Sequence, residues 1–112
     1  MSLITANQNG ITVLAVAGSL DAVTVNDFDA EWKKILDAGS AKLLIDLKDV
    51  GYISSAGLRG ILMLAKAAKL KNIRLAFCGM QSMVADMFKL SGFYSILSTY
   101  PTRDAALTAM AS

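Results

Sequence analysis

Two short apolar runs with a preference for β-structure open the chain, at residues 3–6 and 11–17. The segment between them reads Asn-Gln-Asn-Gly at residues 7–10, and an Asn-Gly pair tolerates the positive φ angles of a tight turn. This arrangement predicts a β-hairpin at the start of the chain.

The spacing of apolar residues changes after Asp21. From Val25 to Leu36 they recur at the spacing that is typical of the buried face of a helix. Thr24 stands where a side chain can cap the first turn, and Gly39 stands where glycine commonly ends a helix. We therefore predict a helix that Thr24 caps and Gly39 ends.

A compact apolar run, Lys-Leu-Leu-Ile-Asp-Leu, follows at residues 42–47. Such a run is typical of a central strand that is covered on both faces, so helices must flank it. We expect this strand to end near Asp46 or Leu47. A long helix should begin at Ser54 or Ser55, because helical spacing of apolar residues resumes there.

The rest of the chain completes an alternation of strands and helices. The pattern predicts a strand at residues 73–78, a helix over residues 83–90 closed by Gly92, a short strand at residues 93–97 and a terminal helix capped by Thr102. The predicted order is ββαβαβαβα. It indicates a single α/β domain over residues 1–112, with a mixed central sheet, an N-terminal hairpin and flanking helices.

Composition narrows the class of protein. Hydrophobic residues make up 54% and charged residues 18% of the 112 residues, which excludes a disordered, highly charged chain, and the apolar runs are too short to cross a membrane. No charged segment followed by an apolar one opens the chain, so we expect a cytoplasmic protein without membrane insertion. The lone Cys78 cannot form an internal disulfide, which fits a reducing compartment.

The basic residues do not indicate nucleic-acid binding. The net charge is only +2, and the one close group of lysines is Lys66, Lys69 and Lys71. No aromatic residues alternate with these lysines, as they would in a surface that stacks bases. We interpret the group as a solvated helix face and expect no direct contact with nucleic acid.

Residues suited to catalysis are scarce. The chain has no histidine, which removes the usual general base and the usual partner of a serine nucleophile. Asp21, Asp46 and Asp49 come near the ends of predicted strands, where acidic residues more often serve as turn or cap residues than as magnesium ligands. We therefore expect no enzymatic activity, no metal and no cofactor.

One stretch carries a family resemblance. Residues 46–59, DLKDVGYISSAGLR, run from a buried strand into the start of a helix. Further similar segments occur in the matching order: GSLD at residues 18–21, LAF at 75–77, LSGF at 90–93, and a threonine at 102 before DAAL at 104–107. In this combination the chain resembles STAS domains, the sulfate-transporter and anti-sigma-factor-antagonist family, over nearly its whole length.

The resemblance implies a function in regulation. Members of this size are similar to anti-sigma factor antagonists of bacterial partner-switching systems. Such an antagonist binds an anti-sigma factor that is also a serine kinase of the histidine-kinase-like ATPase type, and phosphorylation of the antagonist breaks the complex. A serine phosphatase is a further expected partner.

The serine motif departs from the best-known form of the family. In the aspartate-serine-serine-glycine version aligned on Gly57, the acidic residue falls at Ser54, the first hydroxyl at Ser55 and the usual phosphate acceptor at Ala56. The serine-serine-alanine-glycine subtype of the family keeps a hydroxyl at Ser55, one position before the lost acceptor. The resemblance therefore makes Ser55 the first candidate for phosphorylation and Ser54 the second. An alternative interpretation is that both serines only cap the helix.

The expected partner surface surrounds this motif. Gly57 could admit the backbone of a partner or only allow close packing, and Arg59 could pair with a carboxylate or phosphate or be merely solvated. Tyr52 could be a loop anchor or an interface aromatic, and Met80 or Met83 could be exposed. The candidate partner-binding residues are Asp21, Tyr52, Ser54, Ser55, Ala56, Gly57, Arg59 and Met80.

Two other functions stay open at this point. Some STAS proteins resemble this one but are constitutive subunits of membrane lipid-transport complexes, which need no phosphate and would explain Ala56. A nucleotide-binding or small-molecule-binding module is disfavoured, because no segment matches a phosphate-binding loop.

Overall fold

The computed structural model describes residues 1–111. Within them the chain forms five strands, four α-helices and one 3-10 turn at Phe93–Ser95, in the predicted order ββαβαβαβα. The elements are β1 Ser2–Gln8, β2 Ile11–Leu20, α1 Val25–Asp37, β3 Lys42–Ile53, α2 Ser55–Leu70, β4 Arg74–Cys78, α3 Ser82–Leu90, β5 Ser98–Tyr100 and α4 Arg103–Met110.

The strands form one mixed sheet in the order β1-β2-β3-β4-β5. The β1–β2 pair is antiparallel and the other pairs are parallel. The predicted hairpin is confirmed: Asn9 and Gly10 have φ angles of 55° and 81°, and a two-residue turn of this kind requires positive φ at both positions. Because β2, β3 and β4 run parallel, their carboxyl ends lie at one edge of the sheet.

Both faces of the sheet are covered, as the apolar run at residues 42–47 predicts. Neighbouring side chains of a strand point to opposite faces, so a strand covered on both sides is apolar throughout. Helices α1, α2 and α3 pack on one face, over side chains that include Leu14, Leu43, Ile45 and Phe77. Helix α4 packs on the other face, over side chains that include Ile11, Val13, Leu44 and Cys78.

Strand β3 is longer than predicted, and the prediction that it ends near Asp46 or Leu47 is wrong. Its pairing with β4 does stop at Asp46, opposite Cys78, but its pairing with β2 continues to Ile53 through two register shifts. The shifts bury Leu47, Val50 and Ile53, which lie three residues apart. A strand is recognised in a sequence by apolar residues at every second position, so a spacing of three does not predict one here.

The predicted capping role of Thr24 is also wrong. Its hydroxyl donates a hydrogen bond to the Ser19 carbonyl oxygen at 2.7 Å and accepts one from the Asp21 amide at 3.0 Å. It therefore ties the loop before α1 to the end of β2 and makes no cap hydrogen bond to the helix. The cap predicted at Thr102 is confirmed, since its hydroxyl accepts from the Ala105 amide at 3.1 Å.

The last strand is displaced from its predicted position at residues 93–97. Phe93 begins a 3-10 turn, and β5 starts only at Ser98. The Phe93 ring packs edge-on against Phe88, with the ring centroids 5.4 Å apart. This contact buries Phe93 from within a turn, so an apolar residue that suits a strand has another role here.

A buried ion pair joins α4 to the centre of the sheet. The Arg103 Nε lies 2.9 Å from the Asp46 Oδ2, and the Asp46 side chain is only 2% exposed. The Lys48 amide donates to the other Asp46 oxygen at 3.0 Å, and the Arg103 Nη1 donates to the Gln8 Oε1 at 3.3 Å. Asp46 is therefore a structural anchor within β3 and not a residue at the end of a strand.

Candidate functional site

The two candidate serines lie where β3 gives way to α2, as predicted. Ser54 is the N-cap of α2, with extended backbone angles, and its Oγ accepts a hydrogen bond from the Gly57 amide at 3.3 Å. Its own amide donates to the Leu20 carbonyl oxygen at 3.0 Å. The start of α2 is thereby fixed to the carboxyl end of β2.

Ser55 is placed differently from its neighbour. It is the first residue of α2, its side chain is exposed, and within residues 1–111 its hydroxyl has no hydrogen-bond partner. No acidic residue lies in the first turn of this helix. The backbone amides at a helix start favour negative charge, and here no carboxylate of the first turn already meets them. The Ser54 hydroxyl is therefore bonded within the fold, whereas the Ser55 hydroxyl is exposed and unbonded.

Gly57 is required by packing. A Cβ atom at this position would lie 2.4 Å from the Leu20 carbonyl oxygen and 2.9 Å from the Ile53 side chain. Of the two interpretations offered by the sequence, close packing of the helix start is the one observed. Gly57 is buried beneath the chain's own backbone and so does not provide an exposed contact for a partner.

The loop between β2 and α1 lies beside this helix start. The Asp21 Oδ1 accepts hydrogen bonds from the Val23 amide at 2.9 Å and the Thr24 amide at 3.1 Å. The bond from Thr24, followed by that from Val23, lowers the pKa of Asp21 below its ordinary value of 3.8. Asp21 therefore acts mainly by holding this loop in shape.

The same loop exposes an apolar side chain that the sequence did not single out. Val23 is 85% exposed although it lies in a tight turn fixed by Asp21. A rigid, exposed apolar residue loses little conformational freedom when a partner covers it. In the sequence, only the nearby polar residues Asp21 and Thr24 indicate that this valine is exposed. A single valine forms no periodic pattern from which the direction of its side chain could be predicted.

The remaining candidates are divided between two places. Tyr52 is 48% exposed and lies in β3, not in a loop, opposite Ser19 of β2. Arg59 is exposed on α2, and within residues 1–111 its guanidinium has no ion-pair partner, whereas Ala56 is half-buried. Met80 is also half-buried and packs against the core, where it lines a cavity of about 310 Å³ with Tyr94 and Tyr100.

The expectation that Met80 or Met83 is exposed is therefore not met. Both side chains are half-buried, and both pack against the larger of the two cores. Flexible methionine side chains commonly fill irregular gaps in a core, and that is their position here.

Cys78 is not an activated nucleophile. Burial raises the pKa of the Cys78 thiol to about 12, and the charge of Asp46 adds to this effect, so the thiol stays neutral. Within residues 1–111, no group of three or more histidine, cysteine or acidic side chains could hold a metal ion. None of the described helices is both long and apolar enough to cross a membrane.

The different placement of the two serines predicts different effects of mutation. Ser54→Ala removes an N-cap and should lower the free energy of unfolding by about 1 kcal/mol. Ser55→Ala should change it by less than about 0.5 kcal/mol, since the hydroxyl is exposed and unbonded. Urea unfolding of both variants tests this difference. Equal losses would contradict the assignment of Ser54 as the cap.

Comparison with known proteins bears on the family to which the chain belongs. The family model for the STAS domain matches residues 2–106. BtrV of Bordetella bronchiseptica, whose name assigns it as an anti-sigma factor antagonist, is 31% identical over 109 residues, which cover 97% of this chain and 94% of that protein.

Solved structures give the same result. An anti-sigma factor antagonist from Mycobacterium paratuberculosis superposes with a TM-score of 0.89 at 26% identity, over 96% of this chain and 92% of that one. The phosphorylated form of the Bacillus protein SpoIIAA has the same fold, with a TM-score of 0.75 at 14% identity over 97% of this chain and 99% of that one. The chain therefore belongs to the STAS domain family.

Proposed function

We propose that this protein is an anti-sigma factor antagonist of a bacterial partner-switching system and that phosphorylation of Ser55 controls it. It acts in the cytoplasm by binding an anti-sigma factor that is also a serine kinase, not by turnover of its own. The observation that carries the proposal is the exposed, unbonded hydroxyl of Ser55 at the start of α2. The likeness to BtrV supports the same class of partner.

A phosphate at Ser55 suits the helix that carries it. The phosphate would add about −1.5 to −2 charges beside the free amides of the first helical turn, which favour an anion. Arg59 lies four residues further along α2, on the same side of the helix, and could pair with that phosphate. Phosphorylation should therefore leave the fold intact, and the fold of phosphorylated SpoIIAA agrees with this expectation.

The same phosphate would disturb a docked partner. The exposed side chains near the α2 start include apolar Val23 and aromatic Tyr52, which are suited to lie at the centre of a dry interface. A surface that fits these groups and a neutral hydroxyl would have to desolvate a dianion after modification. Binding can thus be lost while the domain stays folded.

The alanine at position 56 favours a second candidate function. It stands where the family's usual phosphate acceptor would be, and its half-buried methyl group cannot be phosphorylated. A constitutive subunit of a membrane lipid-transport complex needs no acceptor. Such a subunit would bind its partner with no change in mass and would co-purify with a transporter ATPase.

The proposal is tested by isolating the partner and asking whether it modifies the chain. Affinity capture from the native host supplies the partner, and the purified complex is then incubated with ATP and analysed by intact mass and peptide fragmentation. We expect one phosphate, at Ser55, in the wild type and in Ser54→Ala, and none in Ser55→Ala. A serine phosphatase should remove it. A partner without kinase activity, or a phosphate elsewhere, would count against the proposal.

A further inference from the structure

A groove with an apolar floor lies beside the second half of α2, between this helix, β4 and the segment that leads into β5. Its volume is about 520 Å³, within the range of small-molecule sites in proteins. Leu62 of α2, Ile73 just before β4 and Leu75 in β4 contribute apolar side chains to it. Ile96, from the segment that leads into β5, also lines the groove and is 62% exposed.

The groove also carries positive charge that no acidic side chain among residues 1–111 neutralises. Lys66 and Lys69 line it from the same side of α2, and none of the described residues that line it is acidic. Neither lysine has an ion-pair partner within residues 1–111, whereas nearby Lys71 pairs with Asp37 at 3.1 Å. Two of the three lysines grouped in the sequence thus remain available at an apolar surface.

We propose that this groove binds a single-chain anionic amphiphile, a free fatty acid with its carboxylate at Lys66 and Lys69. The alkyl chain would cover the apolar floor, and the two ammonium groups would fix the orientation of the carboxylate, as a few polar groups do in mostly apolar sites. The site is separate from the proposed partner surface. Ser55 lies eleven residues before Lys66, about 16 Å along the axis of α2.

The dimensions of the groove suit a single alkyl chain. The stretch of α2 from Leu62 to Lys69 is about 10 Å long, which an extended chain of about eight to ten carbons would span. Spread over that length, the volume of about 520 Å³ leaves a mean cross-section of about 50 Å².

The test uses defined probes on the whole chain. Calorimetry with octanoate, decanoate and decyltrimethylammonium is combined with amide shifts in a nitrogen-labelled sample. Decanoate should bind about 15-fold more tightly than octanoate, because it has two more methylenes and each buried methylene contributes about a fourfold gain in affinity. Decyltrimethylammonium should bind more weakly than decanoate. Amide shifts should appear at residues 62–75 and 96–98 and not at residues 54–59.

A charge exchange separates a true site from general hydrophobic adsorption. Lys66→Glu/Lys69→Glu should weaken decanoate binding at least fivefold and make decyltrimethylammonium the better ligand. Lys33→Glu/Lys89→Glu changes the net charge equally on exposed lysines that do not line the groove, and should bind decanoate as the wild type does. Thermal melts confirm that each variant is folded. Ser55→Ala should leave decanoate binding unchanged, since the two sites are independent.

Several outcomes would overturn the proposal. The first is that decanoate shows no saturable binding up to about 1 mM. The second is that wild-type and charge-exchanged protein have the same preference between the two head groups. The third is that amide shifts spread over the whole surface. Binding only to phosphatidylglycerol vesicles would assign the lysines to a membrane surface. Binding only to an acidic amphipathic peptide would assign the groove to a protein partner.

Discussion

Replacing Arg103 with methionine should lower the free energy of unfolding by about 3 kcal/mol, within the range of about 3–5 kcal/mol typical of broken buried ion pairs. The substitution leaves the Asp46 carboxylate, whose side chain is 2% exposed, without its charged partner at 2.9 Å. Methionine keeps most of the side-chain volume, so the loss measures the uncompensated charge. The lower end of the range applies because the Arg103 side chain is itself 32% exposed.

The matched control removes the stranded charge. Asp46→Asn/Arg103→Met keeps an acceptor for the Lys48 amide and should recover at least half of the loss. Urea unfolding of wild type, single and double variants measures both numbers. A loss below about 1 kcal/mol for Arg103→Met would show that the pair behaves like an exposed one.

The sequence could not have revealed this pair. Asp46 and Arg103 are 57 positions apart, and each is an ordinary polar residue in its own segment. Only the packing of α4 on the second face of the sheet brings them together. Asp46 could be identified as an acidic residue in an apolar run, but the element that neutralises it depends on tertiary structure.

Local signals did predict the features that depend on local physics. The Asn9-Gly10 turn, the start of α2 at the serine pair and the cap at Thr102 all follow from backbone preferences within a few residues. The hydroxyl of Thr24 has the same capping preference, yet Ser19 and Asp21 compete for it. The predicted position of β5 was wrong because a tertiary contact again decided the outcome. Phe93 lies outside any strand and is buried by its ring contact with Phe88.

The candidate site was predictable only as far as it depends on local backbone preferences. The sequence placed Ser54 and Ser55 at a helix start, but did not decide which of them is the cap. That distinction depends on the 3.3 Å hydrogen bond from the Gly57 amide to the Ser54 Oγ. Val23 is exposed because of the turn in which it lies. Two hydrogen bonds to the Asp21 carboxylate, from the Val23 and Thr24 amides, hold that turn after the end of β2.

Phosphorylation of Ser55 should weaken partner binding at least about 100-fold, or about 2.8 kcal/mol. The dianion would have to lose water or meet like charge at the interface, and either costs several kcal/mol in a close contact. The isolated domain should melt at or slightly above the temperature of the unmodified one, because the phosphate lies at the positive end of α2. Stability and affinity should therefore respond in opposite directions.

Ser55→Glu is an imperfect substitute for the phosphate. A carboxylate carries one charge against about −1.5 to −2 for the phosphate, so this variant should lose only part of the affinity. Ser55→Ala should bind as the unmodified protein does and resist release by the kinase.

Val23→Asp places a charge on the same surface without phosphate. It should weaken partner binding with little effect on folding, since Val23 is 85% exposed.

The most direct test of the phosphoswitch is calorimetry of the kinase partner with three forms of the chain: unmodified, phosphorylated at Ser54 and phosphorylated at Ser55, each with a thermal melt. The account predicts tight binding of the unmodified form and a loss of at least about 100-fold for phosphorylated Ser55 with the melting temperature preserved. Phosphorylated Ser54 should melt lower, because its hydroxyl is the cap of α2. Equal affinities for all three forms would contradict the phosphoswitch and leave the constitutive subunit as the better explanation.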